Sequence, residues 1–399
     1  MKSRMWPATA TLVLLGVVSP LTAQQSEITF SGQVRPRLER RSPIDGSWDN
    51  FTSMRVRAAL QAKLQGQVKV FVQFQDVRLF GEEGSTLDDY RADNFDLHQG
   101  FVELESVPKV GGILKVGRQE MPLGEQRLVG AVNWSQQGRS FDGVRYTTPS
   151  MGGLKVDLFG MKLQEETAGT QDFDSDFLGA WGTLALGDHG ALDLFGLFTT
   201  DSRDEGTEEQ TFGALWRGDA GPVQLRVEGS LQGGNRGDED VVAHMIGVRA
   251  GTALPKNGTV TLWYDYLSGD EDPDDGESGV FNTLFATNHA FYGFADYFLN
   301  IPVHTGGLGL KAAAVKFAFT PWERTRLNID LHNFQTAQEG SLTTQSLGNE
   351  LDLTLTHPIS QGLTLVTGYS FFQANDAMEE LGRLSEDAHW MYLMLNAVF

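Results

Sequence analysis

The sequence predicts an all-β chain: a single transmembrane antiparallel β-barrel of eighteen strands, with long loops at one end and short turns at the other. Three observations carry this prediction. Apolar and polar residues alternate with a period of two along most of the chain, as in strands with one face in an apolar environment. The connections alternate between short and long. The chain also closes on a strand in which Met391, Leu393, Leu395, Ala397 and Phe399 share one apolar face. No segment is apolar enough for a spanning helix, so strands must make the crossing.

Alternation bounded by Gly, Pro, Asn and Asp places strands near 28–38, 52–65, 67–77, 97–106, 113–119, 141–148, 153–163, 177–187 and 191–200. It places nine more near 210–218, 222–232, 241–252, 258–268, 307–319, 324–335, 347–356, 362–373 and 388–399. The pattern is clean in 222–232, where Val223, Leu225, Val227 and Leu231 oppose Gln224, Arg226, Glu228 and Gln232. It is equally clean in 324–333, where Leu327, Ile329 and Leu331 oppose Arg326, Asn328, Asp330 and His332. In 350–356, Leu351, Leu353 and Leu355 oppose Glu350, Asp352, Thr354 and Thr356. After even-numbered strands the connection is brief, as at Gly66, Asp188-His189-Gly190 and Asp219-Ala220-Gly221. After odd-numbered strands it is longer. This parity puts short turns and both termini on the periplasmic side and long loops outside the cell. The buried last strand of a soluble sandwich has no reason to obey it.

Lys2 and Arg4 precede an apolar run from Ala8 to Val18, and Thr22-Ala23-Gln24 offers a small-residue cleavage point. Residues 1–23 therefore read as a secretory signal peptide and 24–399 as the barrel. With no cysteine, a lipoprotein anchor and disulfides are both excluded. The net charge of −21 is unevenly spread. Segments 80–96, 165–176, 201–209, 238–240, 270–277 and 376–387 hold 30 of the 52 acidic residues but only Arg91, Arg203 and Arg383 among the bases. Acidic loops thus surround a slightly basic body. The bases are dispersed and the chain is acidic, so nucleic acid is not an expected partner.

The last strand, ending on Phe, resembles the C-terminal strand of bacterial outer-membrane β-barrels. A more specific likeness begins with Leu97-His98-Gln99-Gly100-Phe101-Val102-Glu103-Leu104 and Val116-Gly117-Arg118-Gln119-Glu120. It continues through Gly124, Arg127-Leu128, Asn133-Trp134 and Arg139-Ser140-Phe141-Asp142-Gly143-Val144-Arg145. Phe281-Asn282-Thr283-Leu284-Phe285, His289, Tyr292-Gly293-Phe294-Ala295-Asp296 and Leu347-Gly348-Asn349-Glu350-Leu351-Asp352-Leu353 extend it. This pattern resembles the alginate-export family of outer-membrane proteins. The resemblance implies an eighteen-stranded barrel whose arginine-lined lumen passes an anionic polysaccharide. Its partners would be an anionic polysaccharide or oligosaccharide, outer-membrane lipid and lipopolysaccharide, and a periplasmic export or scaffold protein.

A polyanion path needs fixed positive charge, and guanidinium offers a planar fork of donors that stays charged at physiological pH. With apolar residues facing lipid, the inward set includes Arg35, Arg37, Arg55, Arg57, Lys63, Lys69, Lys115, Arg145, Arg226, Arg249, Lys311 and Arg326. Glu103, Asp157, Glu228, Asp330, Glu350 and Asp352 share that side. Arg118 joins the path only if a bulge or strand end turns it inward, since strict alternation from Val116 points it out. Arg127 and Arg139 lie in the connection 120–140, which is partly apolar, as is 269–306. Both connections are expected to fold back into the lumen, making these two arginines constriction residues. The alternative is that the inward charges merely pair across strands and fill the barrel. Eighteen strands enclose too wide a space for side chains alone.

No cofactor or metal is expected. Asp270-Glu271-Asp272-Pro273-Asp274-Asp275-Gly276 misses the EF-hand spacing, and the histidines lack metal-ligand spacing. Catalytic motifs such as G-x-S-x-G are absent, so an enzyme is not expected. The leading reading is a channel for an anionic, alginate-like polymer. The alternatives are a small-solute, anion-preferring porin of the same barrel and, less favoured, a barrel enzyme or adhesin.

Overall fold

A computed structural model describes residues 27–42, 48–82, 95–165, 174–202, 206–255 and 257–399. The signal peptide reading lies outside the described residues, as do much of the acidic segments 80–96, 165–176 and 201–209.

The first half of the barrel consists of β1 (Glu27–Arg41), β2 (Asp49–Leu64), β3 (Val68–Leu79), β4 (Phe95–Leu104), β5 (Ile113–Gln119), β6 (Phe141–Thr147), β7 (Leu154–Gln164), β8 (Ser175–Ala185) and β9 (Ala191–Asp201). The second half holds β10 (Thr207–Ala220), β11 (Val223–Arg236), β12 (Ala243–Leu254), β13 (Gly258–Leu267), β14 (Leu310–Trp322), β15 (Thr325–Gln335), β16 (Ser346–Ser360), β17 (Leu363–Ala374) and β18 (Ala388–Val398). Each pairs antiparallel with its neighbours in sequence, and β1 pairs with β18 from Gln33↔Val398 to Arg41↔Trp390. The sheet is therefore a closed, eighteen-stranded barrel. Two short additions, Glu239–Val241 and Glu277–Ser278, pair in parallel at the extracellular rim.

Alternation decides which face each residue takes. On β1, Ile28, Phe30 and Leu38 are exposed on the outside, whereas Arg35, Arg37 and Glu39 are buried inside. On β12, Ile246 and Val248 face out while Met245 and Arg249 face in. An apolar belt around a polar interior is what a barrel immersed in hydrocarbon requires. Lys311 departs from its expected place. It shares the outward parity of Val315 and Phe317, and the inward lysine of β14 is Lys316, bonded to Asp330 at 3.0 Å.

The lumen is crossed by the two long connections. Met121, Leu123, Leu128 and Val129 of the first, and Phe281, Phe291, Tyr292 and Phe298 of the second, are buried against inward aromatics of the wall, including Phe141, Phe159, Phe177 and Phe372. The connections also bond to each other: Gly130 N–H donates to Phe285 O, and Phe285 N–H to Leu128 O, each at 2.8 Å. Thr287 N–H adds a third bond, to Gln126 O, at 2.9 Å. Both segments expected to fold inward do so.

The natural absence of cysteine permits a direct check of face assignment. Nitroxide labels at Leu262→Cys and Thr261→Cys, adjacent on β13, should differ in relaxation. Position 262, 57% exposed on the outer face, should respond to oxygen, and position 261, which lines an interior cavity, to a water-soluble nickel complex. The reverse pattern would invert the assignment of inside and outside.

Candidate functional site

Three groups of inward charges surround the crossing loops. The first lies on β1 and β2, where Arg35 and Arg55 stand directly opposite each other across the strands. Arg35 donates to the carbonyls of Asn133 at 2.7 Å, Trp134 at 3.1 Å and Ser135 at 2.6 Å, and to Gln136 Oε1 at 3.0 Å. Arg55 donates to Gln33 Oε1 at 2.8 Å and to Ser135 O at 3.1 Å. Arg37 pairs with Glu39 at 2.8 Å, and Arg57 with Glu120 at 3.3 Å. His98, inward at the β3–β4 bulge, contacts the same Glu120 at 2.8 Å.

The second group centres on Arg127, which is buried and donates to Glu228 at 3.0 Å, Asp265 at 2.8 Å and the Tyr292 hydroxyl at 2.9 Å. Its guanidinium also lies 4.4 Å from the Phe291 ring. Burial alone would lower its pKa, but Asp265, Tyr292 and Glu228 together raise it above its ordinary value. Burial likewise pushes the Tyr292 phenol up. The charge of Arg127 is consumed by these partners, so this arginine anchors the first loop to β11 and β13. Beside it, Glu125 reaches Arg249 Nη1 at 2.9 Å and also contacts Arg226. Arg217 Nη2 on β10 donates to both carboxylate oxygens of Asp193, each at 2.8 Å.

The third group holds the second loop. Glu350 accepts the Ala295 N–H at 2.7 Å and Asp352 accepts the Phe294 N–H at 3.3 Å. Gly293, at φ +82°, is pressed so close that a Cβ there would fall 2.3 Å from a Glu350 oxygen. The loops meet again where Trp134 stacks on His289, with centroids 4.6 Å apart, and His289 stacks on Phe294 at 4.7 Å. Arg37 covers the same Trp134 ring at 5.0 Å.

The remaining candidates are dispersed. Glu103 is inward between Lys69 and Lys115, the latter at 3.2 Å. Arg145 pairs with Asp157 at 2.9 Å on the inward faces of β6 and β7. Arg139 donates to Phe285 O and to Ala286 O across the loop interface. Arg326 has inward parity but is exposed near the periplasmic end of β15. Arg118 is corrected to the outer face: no bulge turns it, and it pairs with the exposed Asp142 at 2.6 Å and Asp96 at 3.9 Å. Glu125, Arg217 and Lys316 escaped sequence reading. Alternation would have found the last two; nothing local marks Glu125.

A closed barrel with an apolar belt and loops folded into a charged interior defines an integral outer-membrane channel. The alginate export family matches residues 26–391, and the chain belongs to that family. Among solved structures it is similar to Pseudomonas aeruginosa OccK3 (OpdO), with a TM-score of 0.64 at 14% identity, covering 94% of this chain and 96% of that one. Acinetobacter baumannii OccAB4 gives 0.64 at 10% identity, covering 94% and 99%. Pseudomonas aeruginosa OpdK, solved with vanillate, gives 0.62 at 13%, covering 94% and 98%. At such low identities the structural likeness shows a shared fold alone. No curated protein matches the sequence significantly.

Two expectations follow from the loop anchors. Deleting 125–137 removes the first loop's crossing segment and should raise single-channel conductance in a planar bilayer; an unchanged value would mean that the segment does not limit the path. Gly293→Ala forces the second loop off the carboxylates of β16. It should lower the stability of the folded barrel by about 1–3 kcal/mol in urea titration and add open-channel noise. Wild-type stability and a quiet trace would show that the close approach is not required.

Proposed function

We propose that the chain passes an anionic polysaccharide or oligosaccharide of the alginate kind across the outer membrane, by positioning and charge rather than covalent chemistry. One observation carries this reading. Arg35 and Arg55 face each other across β1 and β2, are buried, and have no carboxylate within 4.0 Å among the described residues. Like charges directly opposite on neighbouring strands are destabilising. Loop carbonyls offset only part of that cost, and a passing carboxylate would relieve the rest. Arg37 and Arg57 flank the pair and keep local charge positive, while Glu39 and Glu120 keep any one site from binding too tightly. Membership in the alginate export family supports the polymer as cargo.

A second reading, an anion-preferring porin for small solutes, draws on the two loops that fill much of the lumen, and on OpdK having been solved with vanillate. The two readings share the electrostatics and differ in the size of the cargo. A periplasmic export or scaffold protein would meet the short-turn side, and lipopolysaccharide the extracellular belt.

The test separates lumen from loop charge. Charges in a narrow low-dielectric passage outweigh solvated ones lying beyond a Debye length of about 8–10 Å. Replacing Arg55, Arg57, Arg145 and Arg226 together by Gln should shift the bilayer reversal potential towards cations and abolish block by polyuronate. Neutralising Asp270, which is half-buried, with Asp272, Asp274 and Asp275 of the exposed stretch that follows it should change it little. Loss of selectivity in the loop variant alone would make the arginines structural pairs. Block by monomeric but not polymeric uronate would favour the porin.

A further inference from the structure

β10, β11 and β12 place three arginines side by side. Arg217 stands opposite Arg226, Arg226 opposite Arg249, and Arg249 opposite Trp263 on β13. Three like charges in one cross-strand row are costly unless anions intervene. Asp193 neutralises Arg217 from the neighbouring strand. For Arg226 and Arg249 the wall offers Glu228, 3.5 Å from Arg226, and the more distant Asp265, and both carboxylates are already bonded to Arg127. The remaining counter-charge comes from a loop. Glu125 presents one carboxylate oxygen, Oε2, to Arg226 and Arg249 together.

Several features mark this as a binding position rather than an ordinary ion pair. Arg249 is about nine-tenths buried, yet its Nε and Nη2 have no hydrogen-bond partner among the described residues. Its guanidinium lies 3.4 Å from the centroid of the Trp263 ring, which holds the donors in one plane without using them. A cavity of about 540 Å³, lined by Glu125, Arg217, Arg226, Arg249, Thr261 and Trp263, adjoins the pair. Glu125 itself is 36% exposed, so its carboxylate is accessible to displacement. Its position is set from behind. Gly124, at φ +54°, lets the turn approach Trp181 so closely that a Cβ would fall 2.6 Å from the indole.

We propose that Arg226 and Arg249, aligned by Trp263, form a carboxylate-binding subsite that Glu125 occupies as an internal counter-ion, and that the carboxylate of an acidic sugar displaces it. Glu125 then keeps the row neutral in the empty channel and weakens binding enough for release. The inference rests on the proposed passage of anionic saccharide and adds the place where one carboxylate is held. Arg217, satisfied by Asp193, lines the same cavity.

The test uses the full-length barrel in detergent micelles, with galacturonate as probe and galactose as the uncharged control. Calorimetry measures binding, and heat-modifiable migration confirms that each variant is folded. Glu125→Gln should bind galacturonate roughly tenfold more tightly than wild type because the internal competitor is gone. Arg249→Gln and Arg226→Gln should weaken it by tenfold or more, and galactose should not bind to any form. Glu125→Ala provides a second removal of the carboxylate should the glutamine variant misfold. Affinity unchanged in both Glu125 variants, or wild-type affinity in Arg249→Gln, would overturn the subsite. Reversal potentials of the same wild-type preparation judge the channel reading separately: anion selectivity with no effect at Glu125 sinks only the subsite, whereas cation selectivity removes the premise of both.

Discussion

Everything in this molecule depends on closing the hydrogen-bond ladder between the first and last strands. In hydrocarbon each unpaired backbone group costs several kcal/mol, so an open sheet edge is not tolerated. β1 and β18 remove the edge with their register from Gln33↔Val398 to Arg41↔Trp390, extended by mutual backbone bonds between Gly32 and Phe399. Closure at eighteen strands fixes a lumen that side chains cannot fill. The two long connections must therefore enter it, and their aromatic content becomes a packing requirement rather than an exposed liability. The residues that carry the family resemblance, from Arg127 and Trp134 to His289 and Gly293, are largely those that lock these connections together and to the wall.

Loops held inside a polar interior need anchors strong enough to resist water. Arg127 illustrates the choice made. Burying its charge is expensive, and Glu228 and Asp265 recover that cost only while both stay in place. Loss of one partner from such a buried pair typically costs about 3–5 kcal/mol, which makes the first loop's position an all-or-none property. The arginines of β1 and β2 act differently. They grip the backbone carbonyls of residues 133–136, so they retain a net positive field while ordering the same loop. Structural and electrostatic roles thus reside in the same side chains, and substitutions there should disturb both.

Strand number, strand position and the face of most residues were legible in the sequence, because a period of two is a local property and lipid on one side enforces it. Arg118 and Lys311 obey the same rule: parity with Val116 and with Val315 points both outward, as found. The inward folding of both long connections was also legible, from their apolar content. What the chain alone could not show is which charges meet. Arg127 finds partners 101 and 138 residues away, and Glu125 meets Arg249 across 124 residues. Those distances vanish only when the barrel closes and brings one wall opposite another. Sequence by itself therefore determined the barrel and its two faces, through local alternation against lipid. Only the tertiary structure decided which arginines are neutralised anchors and which keep their charge, because closure sets those pairings.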